Sequence, residues 1–306
     1  MVGWGWFRRK AVGLVLVFLM MVTVVSGCGS NQEPAKNQSI IKVVLDGEPD
    51  HLDYLLSQAR IGRTVSDPIN ATLVTFDSDM QIKPYLAEKW EIVDDTTIRF
   101  DLVQGAKFHN GREVVADDVK KTIERIQDPA TGSFLRPQLD MVASVDVVDK
   151  STFDLKLKAA YAPMLSVLTR VPIIPIEAAG EMKTKPIGAG PFKFVRWDKG
   201  QQVVLEKFGD FFIKGQPKVD QLVFKFVAEY SAAISALETG EVDAVLYVNP
   251  VDVSRLKQKG DIYVVDTTLM GFQYVAFVVD RAPWNNKLLR QAVALAIDRD
   301  ALIQKV

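Results

Sequence analysis

Apolar and polar positions divide the chain into stretches of different period. Residues 11–25 form an unbroken run of Ala, Val, Gly, Leu, Phe, Met and Thr, and residues 29–39 (GSNQEPAKNQS) are polar throughout. From Ile40 onward, short alternating or continuous apolar runs are bounded by turn residues, the pattern of strands. It predicts strands at 40–45, 72–76, 90–93, 97–102, 144–148, 153–157, 192–197, 202–207, 221–227, 244–248, 262–266 and 274–279. Asp-Asp and Asp-Lys-Gly turns join 90–93 to 97–102 and 192–197 to 202–207, which reads as two hairpins. Helical spacing is rarer. It predicts a helix over 116–127, with Val119, Ile123 and Ile126 on one face and Asp117 and Asp118 suiting the dipole of its first turn. A second covers 231–239 and stops at Gly240, a residue suited to the position after a helix end. A third covers 286–297, after which Asp298 or Asp300 can cap another. Irregularly mixed strands and helices with many hairpins predict a mixed α+β fold rather than a regular doubly wound sheet.

The run at 11–25 is shorter than the roughly 20 residues that span a bilayer. Arg8, Arg9 and Lys10 precede it and Val25-Ser26-Gly27-Cys28 follow, the order of a cleaved export signal over residues 1–27. The exit resembles the bacterial lipobox, which implies lipidation of Cys28. A thiolate is the side chain best suited to attack a lipid donor, and two acyl chains hold a protein where one is marginal. An uncleaved anchor with an incidental cysteine is the competing reading, but the chain's one Cys stands where the lipobox requires it. Residues 28–39 then read as a flexible tether.

Composition removes several classes of function. Net charge is −1, and without Arg8, Arg9 and Lys10 the 38 acidic residues face 34 basic ones. No basic surplus is available for nucleic acid. Two histidines, His51 and His109, and one Cys do not make a zinc signature. No cofactor loop or metal motif stands out: Gly188-Ala189-Gly190-Pro191 lacks the spacing of a phosphate cradle and precedes a strand. It reads as a backbone crossing at which glycine supplies unusual dihedrals. His109-Asn110-Gly111 reads as a turn, and Trp90 and Phe108 as core aromatics. No nucleophile–base pair or carboxylate dyad sits in a recognisable motif, so an enzyme is not expected.

Three blocks carry a more specific message. The first holds Leu73-Val74-x-Phe76-Asp77, Pro84-x-Leu86-Ala87-Glu88-x-Trp90, Lys107-Phe108-His109-x-Gly111 and Ala116-x-Asp118-Val119. The second runs from IGAGPFKFVRWDKG through Pro217-Lys218-Val219-Asp220 to Leu237-x-x-Gly240-Glu241-Val242-Asp243-Ala244. The third is Pro283-Trp284, Arg290-Gln291-Ala292 and Ala296-Ile297-Asp298-Arg299. In this order they resemble the peptide/nickel solute-binding proteins of ABC importers, family 5, the oligopeptide- and dipeptide-binding type.

The resemblance implies a periplasmic-binding-protein-like type II fold of several lobes. Lobe I would take 40–62 and 181–280, lobe II would be inserted at 63–180, and lobe III would begin at 281 and be mostly missing by Val306. It implies a monomeric extracytoplasmic receptor, lipid-anchored to the membrane, that closes on a peptide or related solute such as a nickel chelate and docks on ABC permease subunits. Ligand contacts are expected from Glu48, Pro49 and Asp50 after the first strand, from Tyr247 and Asn249, and from Phe272 and Tyr274. Val278-Val279 depart from the Asn common there in the family, which weakens the transfer at the hinge. A chain of this length is expected to lack one wall of its cleft. A peptide-sensing or chaperone-like lipoprotein, or an inactive fragment of the receptor, would carry the same blocks.

Overall fold

The computed structural model describes residues 38–265 and 274–305. In chain order the elements are β1 (Ile40–Leu45), α1 (Arg60–Ser66), β2 (Val74–Phe76), β3 (Ile82–Pro84), β4 (Ala87–Asp94), β5 (Thr97–Leu102), α2 (Ala116–Gln127), β6 (Val142–Val147), β7 (Thr152–Leu157) and α3 (Met164–Leu168). There follow β8 (Phe192–Asp198), β9 (Gln202–Lys207), β10 (Gln221–Phe226), α4 (Tyr230–Glu238), β11 (Ala244–Val245), α5 (Pro250–Lys257), α6 (Lys287–Ala296) and α7 (Arg299–Lys305).

Two sheets organise the chain. The first has the order β11-β1-β10-β9-β8. The interior strand β1 lies between β11 and β10 and runs parallel to both, while β9 is antiparallel to β10 and to β8. Consecutive buried residues in β1 explain its central place, because a parallel strand is covered on both faces. Val43 and Leu45 point into a core with Leu52, Val65, Ile69, Val203 and Phe224, while Val44 points to the other face, against Ala233 of α4 and Val242.

The second sheet, β4-β5-β7-β6, is antiparallel throughout. Alternate residues of β5 and β7 are buried, as expected of a sheet with one wet face. Phe100 and Phe153 stack across the strands at 5.3 Å. α2 lays Val119, Ile123 and Ile126 on this core, and Asp118 accepts the Val115 amide at 2.9 Å to close the helix start. The same carboxylate holds Arg112 at 2.8 Å.

The mixed α/β architecture and both hairpins, β4–β5 and β8–β9, follow the sequence pattern. Several elements differ. Residues 262–265 and 274–278 are without regular structure, although their alternation predicts strands. Val265, Tyr274 and Val275 are exposed, and no described strand supplies the ladder that would make the alternation a sheet. The strand expected over 244–248 keeps only Ala244–Val245, because the chain turns into α5. Helices α1, α3 and α5 were not indicated by the apolar spacing.

Between the two sheets, the 188–190 segment crosses the backbone of Ile69 and Asn70. A Cβ on Gly188 would stand 2.1 Å from the Ile69 carbonyl oxygen, and one on Gly190 would stand 2.6 Å from that of Asn70. Neither glycine has a positive φ. Clearance, not the unusual dihedral expected from the sequence, is therefore what these positions demand. His109 braces the crossing. Its Nδ1 accepts the Gly188 amide at 3.3 Å, which leaves Nε2–H to donate to the Gly190 carbonyl at 3.0 Å. Burial pushes this imidazole down to about 4, so the neutral ring is the working form.

Candidate functional site

The carboxyl ends of the three parallel strands converge on one cleft of about 230 Å³. Ligands in open α/β sheets bind at such strand ends, where loops diverge and backbone groups are left unpaired. Leu45 and Asp46 close β1, Val227 and Ala228 follow β10, and Val245 to Tyr247 leave β11. Three features give the cleft its chemistry.

The first is Arg60 at the start of α1. Its Nη2 donates to both oxygens of Asp46, at 2.7 and 2.8 Å. The guanidinium carbon lies 4.4 Å from the Tyr247 ring centroid, a cation–π contact that fixes the plane of the group. Arg60 Nη1 is buried and has no hydrogen-bond partner among the described residues. The second is Tyr230, in the first turn of α4. Its hydroxyl accepts the Asn249 amide at 3.0 Å and donates to Asp252 Oδ2 at 2.8 Å. Hydrogen bonds from Arg255 and then Tyr230 hold the Asp252 carboxyl below its ordinary range. This chain of contacts pins the segment that leads from β11 to α5. The third is the apolar lining, in which Val44 and Ala233 are 4% and 3% exposed.

Of the residues expected from the sequence, Tyr247 and Asn249 line this cleft together. The others lie elsewhere. The Glu48 carboxylate accepts from Trp197 Nε1 at 2.9 Å and from the Gly200 amide at 3.0 Å, so it fastens the β8–β9 turn. Pro49 is buried. Asp50 accepts from Ser57 Oγ at 3.2 Å and lies 3.5 Å from His51 Nε2. Tyr274 is exposed in an irregular stretch. Cys28 and Phe272 lie outside the described residues. Sequence reasoning missed Asp46, Arg60 and Tyr230. A charge placed directly after the apolar run Val43-Val44-Leu45 was the available signal for Asp46.

Among the described residues, no cluster of three or more His, Cys, Asp or Glu could hold a metal ion, and no helix is long and apolar enough to cross a membrane.

The chain is similar to known proteins in sequence and in fold. Residues 81–306 match the model of the bacterial extracellular solute-binding proteins, family 5 Middle. A putative ABC transporter peptide-binding protein of Brucella ovis is 34% identical over 247 residues, which cover 76% of this chain and 46% of that protein. Among solved structures, AgaA of A. tumefaciens R10 in complex with agropinic acid is 33% identical with a TM-score of 0.69, over 72% of this chain and 46% of that one. The Bacillus subtilis oligopeptide-binding protein AppA, solved with a nonapeptide, is 25% identical with a TM-score of 0.80, over 87% of this chain and 55% of that one. The chain spans about half the length of the relatives it matches. With a family model matched over most of its length, the chain belongs to the bacterial extracellular solute-binding proteins of family 5.

Proposed function

We propose that this chain is the receptor component of an ABC importer, capturing a peptide or a related small solute outside the cytoplasm and presenting it to a membrane permease. The observation that carries this reading is the cleft at the carboxyl ends of β1, β10 and β11. It combines apolar lining with an oriented guanidinium and an amide-anchoring tyrosine. Relatives with this fold bind ligands as different as agropinic acid and a nonapeptide, so the fold sets the mode of capture while side chains set the ligand.

In this reading lobe I comprises 40–62 and 181–280, lobe II comprises 63–180, and a further lobe begins at 281. Solute bound to lobe I favours the closed arrangement because it gains contacts there that the open arrangement does not offer. Cys28 is lipidated after removal of residues 1–27, and residues 28–39 act as slack between membrane and receptor.

Two measurements test this. Calorimetric titration of the purified protein with a mixed peptide pool should show saturable binding, and heat indistinguishable from dilution would overturn capture. Radiolabelled palmitate fed to an expressing bacterium should label the wild-type chain and not a Cys28→Ser variant. Equal labelling of the two would overturn the anchor.

A further inference from the structure

The lining of the cleft narrows the class of solute, an inference that rests on the receptor reading above. The most buried wall, Val44 and Ala233, is aliphatic, and Val245 and Val227 continue it outward. The charges at the rim, Asp46 and Arg60, are paired with each other at 2.7 and 2.8 Å. A charged side chain laid against this wall would lose part of its water without finding an unpaired opposite charge, which disfavours it. An apolar side chain would exchange water for aliphatic contact. Volume sets the size. The cleft's volume of about 230 Å³ exceeds the roughly 150 Å³ of an engineered apolar cavity that accommodates benzene. Leucine through phenylalanine therefore fit, and glycine or alanine would leave the space unfilled.

A second observation orients the occupant. Arg60 Nη1 is a buried donor with no partner among the described residues, and donors in that state gain from any acceptor brought to them. Nη2 already serves Asp46, so an acceptor can be added without breaking the pair. A main-chain carbonyl is neutral, and it stands one bond from the Cα that carries the side chain.

We propose that this cleft is a side-chain pocket for one apolar residue of a peptide solute. Its side chain, of leucine to phenylalanine size, lies against Val44, Ala233 and Val245, and its carbonyl oxygen faces Arg60. The pocket thus selects peptides by apolar bulk at one position and rejects charge there.

The test uses the purified full chain and five tripeptides, Ala-X-Ala with X as Gly, Leu, Phe, Asp or Lys, each titrated by calorimetry. The Leu and Phe peptides should bind at least about tenfold more tightly than the other three. Two variants separate the contributions. Ala228 is an exposed lining residue, so Ala228→Trp should fill the mouth without disturbing the core and should abolish the preference. Arg60→Met should weaken all peptides by a similar factor and leave the preference intact. Equal affinities across the five peptides, or a preference that survives Ala228→Trp, would overturn the pocket assignment while leaving peptide capture standing. Absence of binding to any of the five would also overturn the pocket assignment, and the peptide-pool titration then decides whether capture itself fails.

Discussion

His109 offers a quantitative test of how the two sheets are held together. Its ring accepts the Gly188 amide and donates to the Gly190 carbonyl, and it meets Phe208 edge-on at 4.8 Å. Protonation would remove the acceptor and bury a charge near Lys193. The folded-state pKa is about 4, against 6.5 for the free ring, because burial disfavours the charged form. A base with a depressed folded pKa contributes stability that is whole above about pH 6.5 and is lost as pH falls towards 4. Each pKa unit is worth about 1.36 kcal/mol, so the loss amounts to roughly 3 kcal/mol, a large share of the 5–15 kcal/mol typical of a domain. Asp67 tilts the balance the other way over part of this range, since burial raises its carboxyl to about 6. The measurement is therefore made in an Asp67→Asn background, by urea unfolding from pH 5 to 8. Stability should fall by up to about 1.4 kcal/mol per pH unit below 6.5. His109→Gln should cost about 1–3 kcal/mol at pH 8 through lost hydrogen bonds and should flatten the slope. The chain has two histidines, so proton NMR can follow the ring directly. An unchanged slope in His109→Gln, or a His109 resonance titrating near 6.5, would refute the brace.

Three further predictions follow from the same packing. Gly188→Ala should destabilise by about 1–3 kcal/mol in thermal melts, since its Cβ meets backbone at 2.1 Å, whereas Gly209→Ala, with open space around it, should change stability by less than about 0.5 kcal/mol. Asp53 is 1% exposed and paired with Arg125 at 3.1 Å, so Arg125→Met should cost about 3–5 kcal/mol in urea unfolding by leaving a buried carboxylate unpaired; adding Asp53→Ala should recover part of that loss. Asp67, with its raised pKa, contributes stability that is present below about pH 4 and gone above about pH 6. Asp67→Asn should therefore be more stable than wild type by about 1–3 kcal/mol at pH 7, with the advantage vanishing near pH 4.

What could be read in advance follows from where each signal resides. The run Val43-Val44-Leu45 of β1 and the alternation of β5 and β7 are local records of burial, and turn residues mark the hairpins. α1 was illegible because Gly62, Thr64 and Val65 are poor helix formers; Ser66 also donates to the Leu52 carbonyl, a contact outside the helix that exists only once the chain has folded. α5 was missed although Pro250 stands at its first position, because its apolar spacing is weak. Residues 262–265 show the opposite failure: their alternation is genuine, yet strand formation needs a neighbour that local pattern does not encode. The site divides similarly. Tyr247 and Asn249 were reached through family resemblance, whereas the Asp46–Arg60 pair spans 14 residues of connecting chain and Tyr230 acts through an amide 19 residues away.

The central place of β1 has a consequence for the order in which the chain can fold. Its hydrogen-bonding neighbours, β10 and β11, arrive about 180 and 200 residues later, so β1 must remain unpaired until residues 221–245 are available. The sheet β4-β5-β7-β6 is completed within residues 87–157 and involves far shorter loop closures. A chain emerging from its N-terminus should therefore gain protection first in that sheet, while the apolar half of β1 waits exposed. Pulse-labelled hydrogen exchange during refolding should show the amides of 97–102 protected well before those of 40–45, and this interval is when a holdase would bind most tightly.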